Sequence, residues 1–379
     1  MLSFVHTADL HLGQPLHALG GGDAAAQVRQ LRLEAIDRIG ELAAERGAAF
    51  VLVAGDLFDG GLVDDRTLVA ACQKLGAVGV PVYVLPGNHD LSGVPGGAFG
   101  RSAWTREKPG NVAVLAQRKP LLLPEHDALI LPAPADPGSP ADPTAHLTAG
   151  FGAEHEGVFR VGLAHGGTTD FAELAGGRSA TIAKGRAEAA GLDYLALGDW
   201  HGFQEVDGRT AFAGSPEPTS FANNDSGNAV VVRIAGPGAP PEVERVPIAR
   251  TRWLRWEHRL RDAAGVDELD GRLRALDAPG DTLVRLELDA ALVAADAAWL
   301  DAALEAARHR LLHLRARDAG GGAFRPRVLP DPVALEEAIA AAPGFVRAAV
   351  AELREAEDEE AADALVLLQR LMAEAGASC

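Results

Sequence analysis

The stretch Pro81–Asp90, PVYVLPGNHD, sets the tightest constraint on how this chain folds. Val82, Tyr83, Val84 and Leu85 form a short β-favouring run and read as a buried strand. Pro86-Gly87 stops it, and Asn88, His89 and Asp90 follow at its mouth. The same grammar recurs. Residues 2–5 (LSFV) lead to Asp9-Leu10-His11, and residues 49–54 (AFVLVA) lead to Gly55-Asp56-Leu57-Phe58-Asp59. Residues 158–164 (VFRVGLA) lead to His165, and residues 192–197 (LDYLAL) lead to Gly198-Asp199-Trp200-His201. In open α/β sheets the ligand crevice lies beyond the carboxyl ends of the strands. Any one of these polar strand ends is explained by a hydrogen-bonded loop; five together point to one shared site. Carboxylates and an Asn carbonyl suit hard cations, and imidazoles beside them suit first-row divalent metals. Asp9 and His11 are two apart, so in extended backbone their side chains share a face.

Helical patterns separate the strands. Val28, Leu31, Ala35, Ile36, Ile39 and Leu42 predict a helix over 24–46, stopped by Gly47. Asp64 and Asp65 open a second, carrying Leu68, Val69, Cys72 and Leu75 on one side. Further strands are expected at 112–115 and 128–131, with 228–234 (NAVVVRI) closing the domain. Residues 91–110 and 132–143 are Gly- and Pro-rich loops. The alternation predicts an α/β domain with crossover connections.

At 379 residues and 47% hydrophobic content the chain can bury a large core in two or three domains. No apolar run is long enough for a membrane span, and the first residues lack a signal-peptide pattern. Cys72 and Cys379 lie too far apart in sequence to suggest a disulfide framework, so a reducing cytoplasm is expected. The net charge of −18 argues against a generally basic nucleic-acid binder but leaves room for local positive patches.

In its motifs, Asp9-Leu10-His11, Gly55-Asp56, Gly87-Asn88-His89-Asp90, His165 and Gly198-Asp199-Trp200-His201, the chain resembles the calcineurin-like metallophosphoesterases. HTADLHLG at 6–13, GDLFD at 55–59 and GSPEPTSF at 214–221 resemble the SbcD-type DNA-repair exonuclease branch. The resemblance covers roughly residues 1–235. It implies two stacked mixed β-sheets flanked by helices, a small α+β capping domain and C-terminal helices. It also implies two divalent metal ions, Mn²⁺ or Mg²⁺. One would sit on Asp9, His11, Asp56 and His201, the other on Asp56, Asn88, His165 and Asp199. His89 would donate a proton to the leaving oxygen. Two such metals, about 3.5–4 Å apart, activate a bridging water for attack on phosphorus. Asp199 departs from the family pattern, which carries His there; a carboxylate is a harder ligand and favours Mn²⁺ or Mg²⁺.

Domains are expected at 1–250 (nuclease), 251–319 (cap) and 320–379 (linker and partner-binding helices). In 252–260, RWLRWEHRL alternates as a half-buried strand. A helix over 267–276, a strand over 282–288 and a helix over 297–315 follow. Arg252, Arg255, Arg259 and Arg261 with Trp253 and Trp256 suit either a nucleic-acid strand or a salt-bridged face over a Trp-anchored core. Asp331 caps a helix with Pro332 at its first position, and Pro343-Gly344 breaks it. By resemblance these last helices hold the coiled coil of an SbcC-like SMC-family ATPase, and the protein is a homodimer. The expected activity is hydrolysis of DNA phosphodiester bonds in the bacterial cytoplasm or nucleoid. A small-nucleotide phosphodiesterase and a non-catalytic scaffold of the same fold are the alternatives.

Overall fold

The computed structural model describes residues 1–376 except 61–62, 94–95, 136–140, 169–180, 223 and 357. Cys379 and parts of both Gly- and Pro-rich loops lie outside the described residues. The chain divides into two compact units, Met1–Arg252 and Trp253–Cys379. The segments expected at 251–319 and 320–379 thus fall almost wholly within the second.

The strands of the first unit are β1 (Leu2–Thr7), β2 (Val51–Ala54), β3 (Val82–Leu85), β4 (Val112–Val114), β5 (Leu121–Leu123), β6 (Ala128–Ala133) and β7 (Phe159–His165). They continue with β8 (Gly167–Thr168), β9 (Thr181–Ile182), β10 (Tyr194–Gly198), β11 (Gln204–Asp207), β12 (Thr210–Phe212), β13 (Asn228–Ile234) and β14 (Pro241–Pro247). Two six-stranded mixed sheets form, in the orders β14-β13-β1-β2-β3-β4 and β11-β12-β10-β7-β6-β5, while β8 and β9 pair separately. In the first sheet β1 to β4 run parallel and β13 runs antiparallel to β1. In the second, β6, β7, β10 and β12 run parallel.

Both faces of the first sheet are covered at its inner strands, which is why β1, β2, β3 and β13 read as largely apolar runs. Side-chain alternation sorts them. Val5, Val51, Val53, Val82 and Val84 pack under the helices α1 (Gly22–Glu45), α2 (Asp65–Gly76) and α3 (Ser102–Glu107). Phe4, Leu52, Ala54 and Leu85 meet Ile130, Val161, Tyr194 and Ala196 of the second sheet. Phe4 stacks on Phe50 with ring centroids 5.0 Å apart. The outer face of the second sheet is covered by Leu147, Ile182 and Ala187, the last on the single-turn helix α4 (Arg186–Ala189). α2 begins where Asp64 accepts a hydrogen bond from Thr67 N, the N-cap expected from the sequence.

Three readings change. β13 does not close the domain: β14 follows and pairs with it along seven residues. Its alternating, half-exposed pattern (PEVERVP) lacks a buried run, so it carries little strand signal. The helix expected over 297–315 ends at Arg310, and His313–Asp318 is a strand. Arginines at 315 and 317 lie on its outer face, which disguised it as helix. Finally, Asp9 and His11 are not in extended backbone; both have left-handed φ, 53° and 46°.

The second unit holds β15 (Arg252–Leu260), α5 (Ala263–Arg274), β16 (Thr282–Val293), α6 (Ala294–Arg310), β17 (His313–Asp318) and β18 (Arg327–Leu329). The sheet order is β15-β16-β17, with β18 also on β16. Trp256, Leu260, Leu269, Leu286, Leu300 and Leu304 form its core. Arg255 pairs with Glu287, while Arg259 and Arg261 pair with Asp289. Arg272 lies over the largely buried Trp256 ring, 3.9 Å from its centroid. For these residues the salt-bridged, Trp-anchored reading is the one the structure displays. α7 (Pro332–Ala341), α8 (Gly344–Ala356) and α9 (Glu359–Gly376) follow, packed on a small cluster of Leu335, Val350 and Leu365. Asp331 caps α7 through Val333 N and Ala334 N, with Pro332 at its first position.

Candidate metal centre

The parallel strands β1, β2 and β3, and β7 and β10 of the facing sheet, deliver their carboxyl ends to one edge of the first unit. The loops after β1 and β2 run side by side: Asp9 N donates to Gly55 O, His11 N to Asp56 O and Asp59 N to Leu12 O. Asp9, His11, Asp56 and Asp199 all have positive φ. The left-handed turns aim these side chains inward at one point. Close approach is possible because glycines precede the ligands. A Cβ on Gly55 would stand 2.0 Å from His165 Nδ1, and one on Gly87 would stand 2.2 Å from Asp56 Oδ1. Neither glycine can carry a side chain here.

Asp56 lies at the centre. Its Oδ1 accepts from His89 N at 2.9 Å. Its Oδ2 faces His165 Nε2 at 3.4 Å on one side and His11 Nε2 at 3.6 Å on the other. His165 Nδ1 lies 2.8 Å from Ala54 O, so this nitrogen donates its proton there. His165 Nε2 is then directed at Asn88 Oδ1 (2.8 Å), Asp56 Oδ2 and, at 3.7 Å, Asp199 Oδ1. On the other side His11 Nδ1 points to Asp59 Oδ1 (3.1 Å) and His201 Nδ1 to Thr219 Oγ1 (2.5 Å). Their Nε2 atoms face each other at 3.1 Å. Asp9 completes this side: it lies with His11 and His201 in one group and with Asp56 and His165 in another, the ligand atoms within 4.8 Å of one another in each. Asp9 also accepts from Asp199 N through both oxygens at 3.2 Å.

All eight residues singled out in the sequence therefore converge, in two lobes: Asp9 lies with the imidazoles of both, and Asp56 Oδ2 faces both. Each lobe turns carboxylate or amide oxygens and imidazole nitrogens toward one another, an arrangement a cation resolves. Outer hydrogen bonds from the far ring nitrogens hold each imidazole in the ligating tautomer, as in known metal sites. The charge balance agrees. Burial, with the charges of Asp56 and Asp199 adding to it, pushes the Asp9 carboxyl well above the usual range despite His165. Burial also pushes His201 down to about 3, with His11 contributing, so it is neutral at physiological pH and ready to ligate. Burial opposes ionisation of Asp56, but His165 and its neighbouring imidazoles outweigh it and hold the carboxyl well below the usual range. Burial likewise opposes a charge on His165, yet Asp56, Asp9 and Asp199 outweigh it and raise the ring well above its ordinary value. The carboxylates thus favour positive charge at this point, whether a proton or a metal ion carries it. Divalent cations fit this donor set.

Two residues that sequence reasoning left without a role support the centre. Asp59 Oδ1 accepts from His11 Nδ1 and, at 3.0 Å, from His89 Nδ1. It thereby joins a metal-side imidazole to the exposed one. The hydrogen bond to Asp59 raises His89 above its ordinary value, against the effect of burial. Asp90 is fully buried and accepts from Gly87 N and Phe58 N, both at 2.8 Å, tying the loop after β3 to the loop after β2. Burial and the Asp56 charge raise its carboxyl to about 7. The signal for both lay in GDLFD and GNHD, each an acidic residue spaced from a ligand.

Residues 2–201 match the calcineurin-like phosphoesterase family, just over half of the chain. An uncharacterized metallophosphoesterase of Bacillus subtilis, YhaO, is 30% identical over 128 residues, 31% of this chain and 29% of that protein. The DNA double-strand break repair protein Mre11 of Archaeoglobus fulgidus is 37% identical over 97 residues, 24% of this chain and 19% of that one. The match thus spans less than a third of either curated relative. Among solved structures, TT1561 of Thermus thermophilus aligns over 64% of this chain and 98% of its own, at 13% identity and a TM-score of 0.38.

Proposed function

Because this chain belongs to the calcineurin-like phosphoesterase family, a family of metal-dependent phosphoesterases, we propose that it is a two-metal phosphodiesterase that cleaves DNA. We place it with the SbcD-type repair exonucleases. The observation that carries the reading is Asp56 Oδ2 standing between His11 Nε2 and His165 Nε2, as a bridging carboxylate would. In this reading Asp9, His11, Asp56 and His201 hold one ion, and Asp56, Asn88, His165 and Asp199 hold the other. When bound, such ions supply Lewis acidity and an activated water. His89, exposed and held by Asp59 through Nδ1, donates to the leaving oxygen. Asp199 makes the second lobe predominantly oxygen-liganded and favours Mn²⁺, with Mg²⁺ next.

DNA as substrate is supported by the archaeal relative, a DNA double-strand break repair protein. The ion pairing of Arg255, Arg259 and Arg261 favours the second reading, a phosphodiesterase for small nucleotides. A scaffold without catalysis is disfavoured because every ligand position keeps a coordinating side chain and all converge. We further propose that α7 to α9 bind an SbcC-like SMC-family ATPase, and that the protein acts as a homodimer in the cytoplasm. Val333, Phe345, Leu367 and Leu371 on these helices are more than half exposed, Phe345 by 77%. No helix among the described residues is long and apolar enough to cross a membrane.

The test is purified protein with Mn²⁺ on end-labelled single- and double-stranded DNA, beside a small phosphodiester. Mn²⁺-dependent shortening of the labelled strand is expected. Turnover of the small phosphodiester with intact DNA would replace this reading with the small-nucleotide one.

A further inference from the structure

Beside the first lobe lies the loop Gly214–Thr219, and its hydrogen bonds run in one direction through the fold. Ser215 N donates to His201 O at 2.9 Å, so the loop rests on the backbone that carries His201. Thr219 Oγ1 is hydrogen-bonded to His201 Nδ1 at 2.5 Å. Two residues earlier, Glu217 is only 2% exposed, yet its carboxylate is met by four donors. Oε1 accepts from Arg38 Nη2 (2.5 Å) and Arg250 N (2.7 Å). Oε2 accepts from Thr251 N (3.2 Å) and Thr251 Oγ1 (2.7 Å). Between them, Pro218 O accepts from Arg32 Nη2 at 3.0 Å, and Arg32 itself is buried in α1. A buried carboxylate needs this degree of compensation, and here the donors come from two separate places. One is α1; the other is Arg250–Thr251, the segment that leads into the second unit.

We propose that residues 217–219 form a relay that positions His201 for metal binding, with Thr219 fixing the imidazole and Glu217 anchoring Thr219 to Thr251. The inference rests on the reading of His201 as a metal ligand and adds to it. Neither Thr219 nor Glu217 offers an atom to the ion. Their effect passes through the ring orientation of His201, which Thr219 sets through Nδ1. The relay also makes affinity on the His201 side depend on Thr251, a residue outside the ligand set. Strain in the chain at Thr251 then reaches the metal centre through one carboxylate and one hydroxyl.

The experiment uses the full chain and reads Mn²⁺ affinity by titration calorimetry, the absorption spectrum after Co²⁺ loading, and the thermal transition of the metal-free protein. His201→Ala serves as the reference. If it leaves both Mn²⁺ sites and the Co²⁺ spectrum unchanged, the ligand reading fails, and the relay with it. Given that it weakens one site, Thr219→Val is expected to weaken the same site by about 10- to 100-fold, the usual effect of losing an outer-shell partner. Thr219→Ser should restore it and the wild-type Co²⁺ spectrum. Thr251→Val should weaken the same site by about three- to tenfold through Glu217, and Thr251→Ser should recover it. Should Thr219→Val fail to fold, the serine variants and Thr251→Val still decide the matter. Affinities within twofold of wild type in Thr219→Val, or a Thr251→Val protein that loses only thermal stability, would overturn the relay while leaving His201 a ligand.

Discussion

Asp59→Asn separates the two tasks that one carboxylate performs. Asp59 Oδ1 accepts from His11 Nδ1 at 3.1 Å and from His89 Nδ1 at 3.0 Å, and its side chain is 12% exposed, so water replaces it poorly. The amide keeps the shape and loses the charge. At His11 the loss is that of an outer-shell partner, about 10- to 100-fold in metal affinity, or roughly 1.4–2.7 kcal/mol. At His89 the loss is that of the group keeping the proton donor charged and oriented, with a ceiling at the full contribution of that donor, about 10²- to 10⁴-fold in turnover. His89→Ala removes only the second: metal affinity stays near wild type and kcat falls by the same 10²- to 10⁴-fold. The double variant decides whether Asp59 acts through His89. If it does, kcat at saturating Mn²⁺ equals that of His89→Ala, while the metal deficit of Asp59→Asn persists. The assay pairs Mn²⁺ calorimetry with steady-state hydrolysis of a small phosphodiester. Turnover losses that multiply in the double variant, or an Asp59→Asn protein with wild-type metal affinity, would refute the two-task account.

Four further outcomes are expected. Asp56→Ala should lose both metals together, because Asp56 Oδ2 faces both lobes; calorimetry with one intact high-affinity site would contradict bridging. Asp199→His should keep activity and shift preference away from Mn²⁺ and Mg²⁺ toward softer ions; a metal-free, inactive protein would mean Asp199 does something other than coordinate. His6 is buried between the sheets against Tyr194 OH (3.0 Å) and Leu197 O (3.2 Å), and burial pushes it down to about 3. The unfolded chain takes up a proton near pH 6.5 and the folded one does not, so this contribution is complete above pH 6.5 and declines as pH falls toward 3. Between pH 7 and 5 wild type should lose about 2 kcal/mol more stability than His6→Asn, read from urea midpoints; equal losses would remove His6 as the cause. Truncation after Leu329 should leave hydrolysis of a small phosphodiester unchanged and abolish ATPase co-purification, whereas aggregation would show that α7 to α9 support the fold.

The buried strands were legible because both faces of each are covered. Runs such as VLVA and NAVVVRI have no other use in a folded core, and β13 falls where the sequence places it. Strands with an exposed face or edge were not. β14 carries Glu242, Glu244 and Arg245 and β17 carries Arg315 and Arg317, and each is fixed by the strand it pairs with: β13, just before β14 in the chain (Ile234↔Pro241), and β16, further back from β17 (Leu283↔His313). Propensity within a window cannot supply a partner. The same limit applies to the arginines of β15, whose pairing with Glu287 and Asp289 depends on a strand that begins 22 residues after β15 ends.

The candidate ligands were legible for a different reason, and the fold explains which of their neighbours were not. Asp9, His11, Asp56 and Asp199 sit in left-handed backbone, a conformation that side chains other than glycine adopt at a cost of order 1–3 kcal/mol each. A chain that only needed turns at these strand ends would place glycine there, as it does at Gly55 and Gly13. Asp127 and Asp225 share such a φ without serving the centre, so the backbone alone does not mark a site residue; what made these positions legible is the short motifs, Asp-x-His and Gly-Asp, recurring just past strand ends. Asp59, Glu217 and Thr219 act on the ligands through hydrogen bonds that span long sequence separations. Their identity is fixed by which imidazole they reach, and only the folded chain states that.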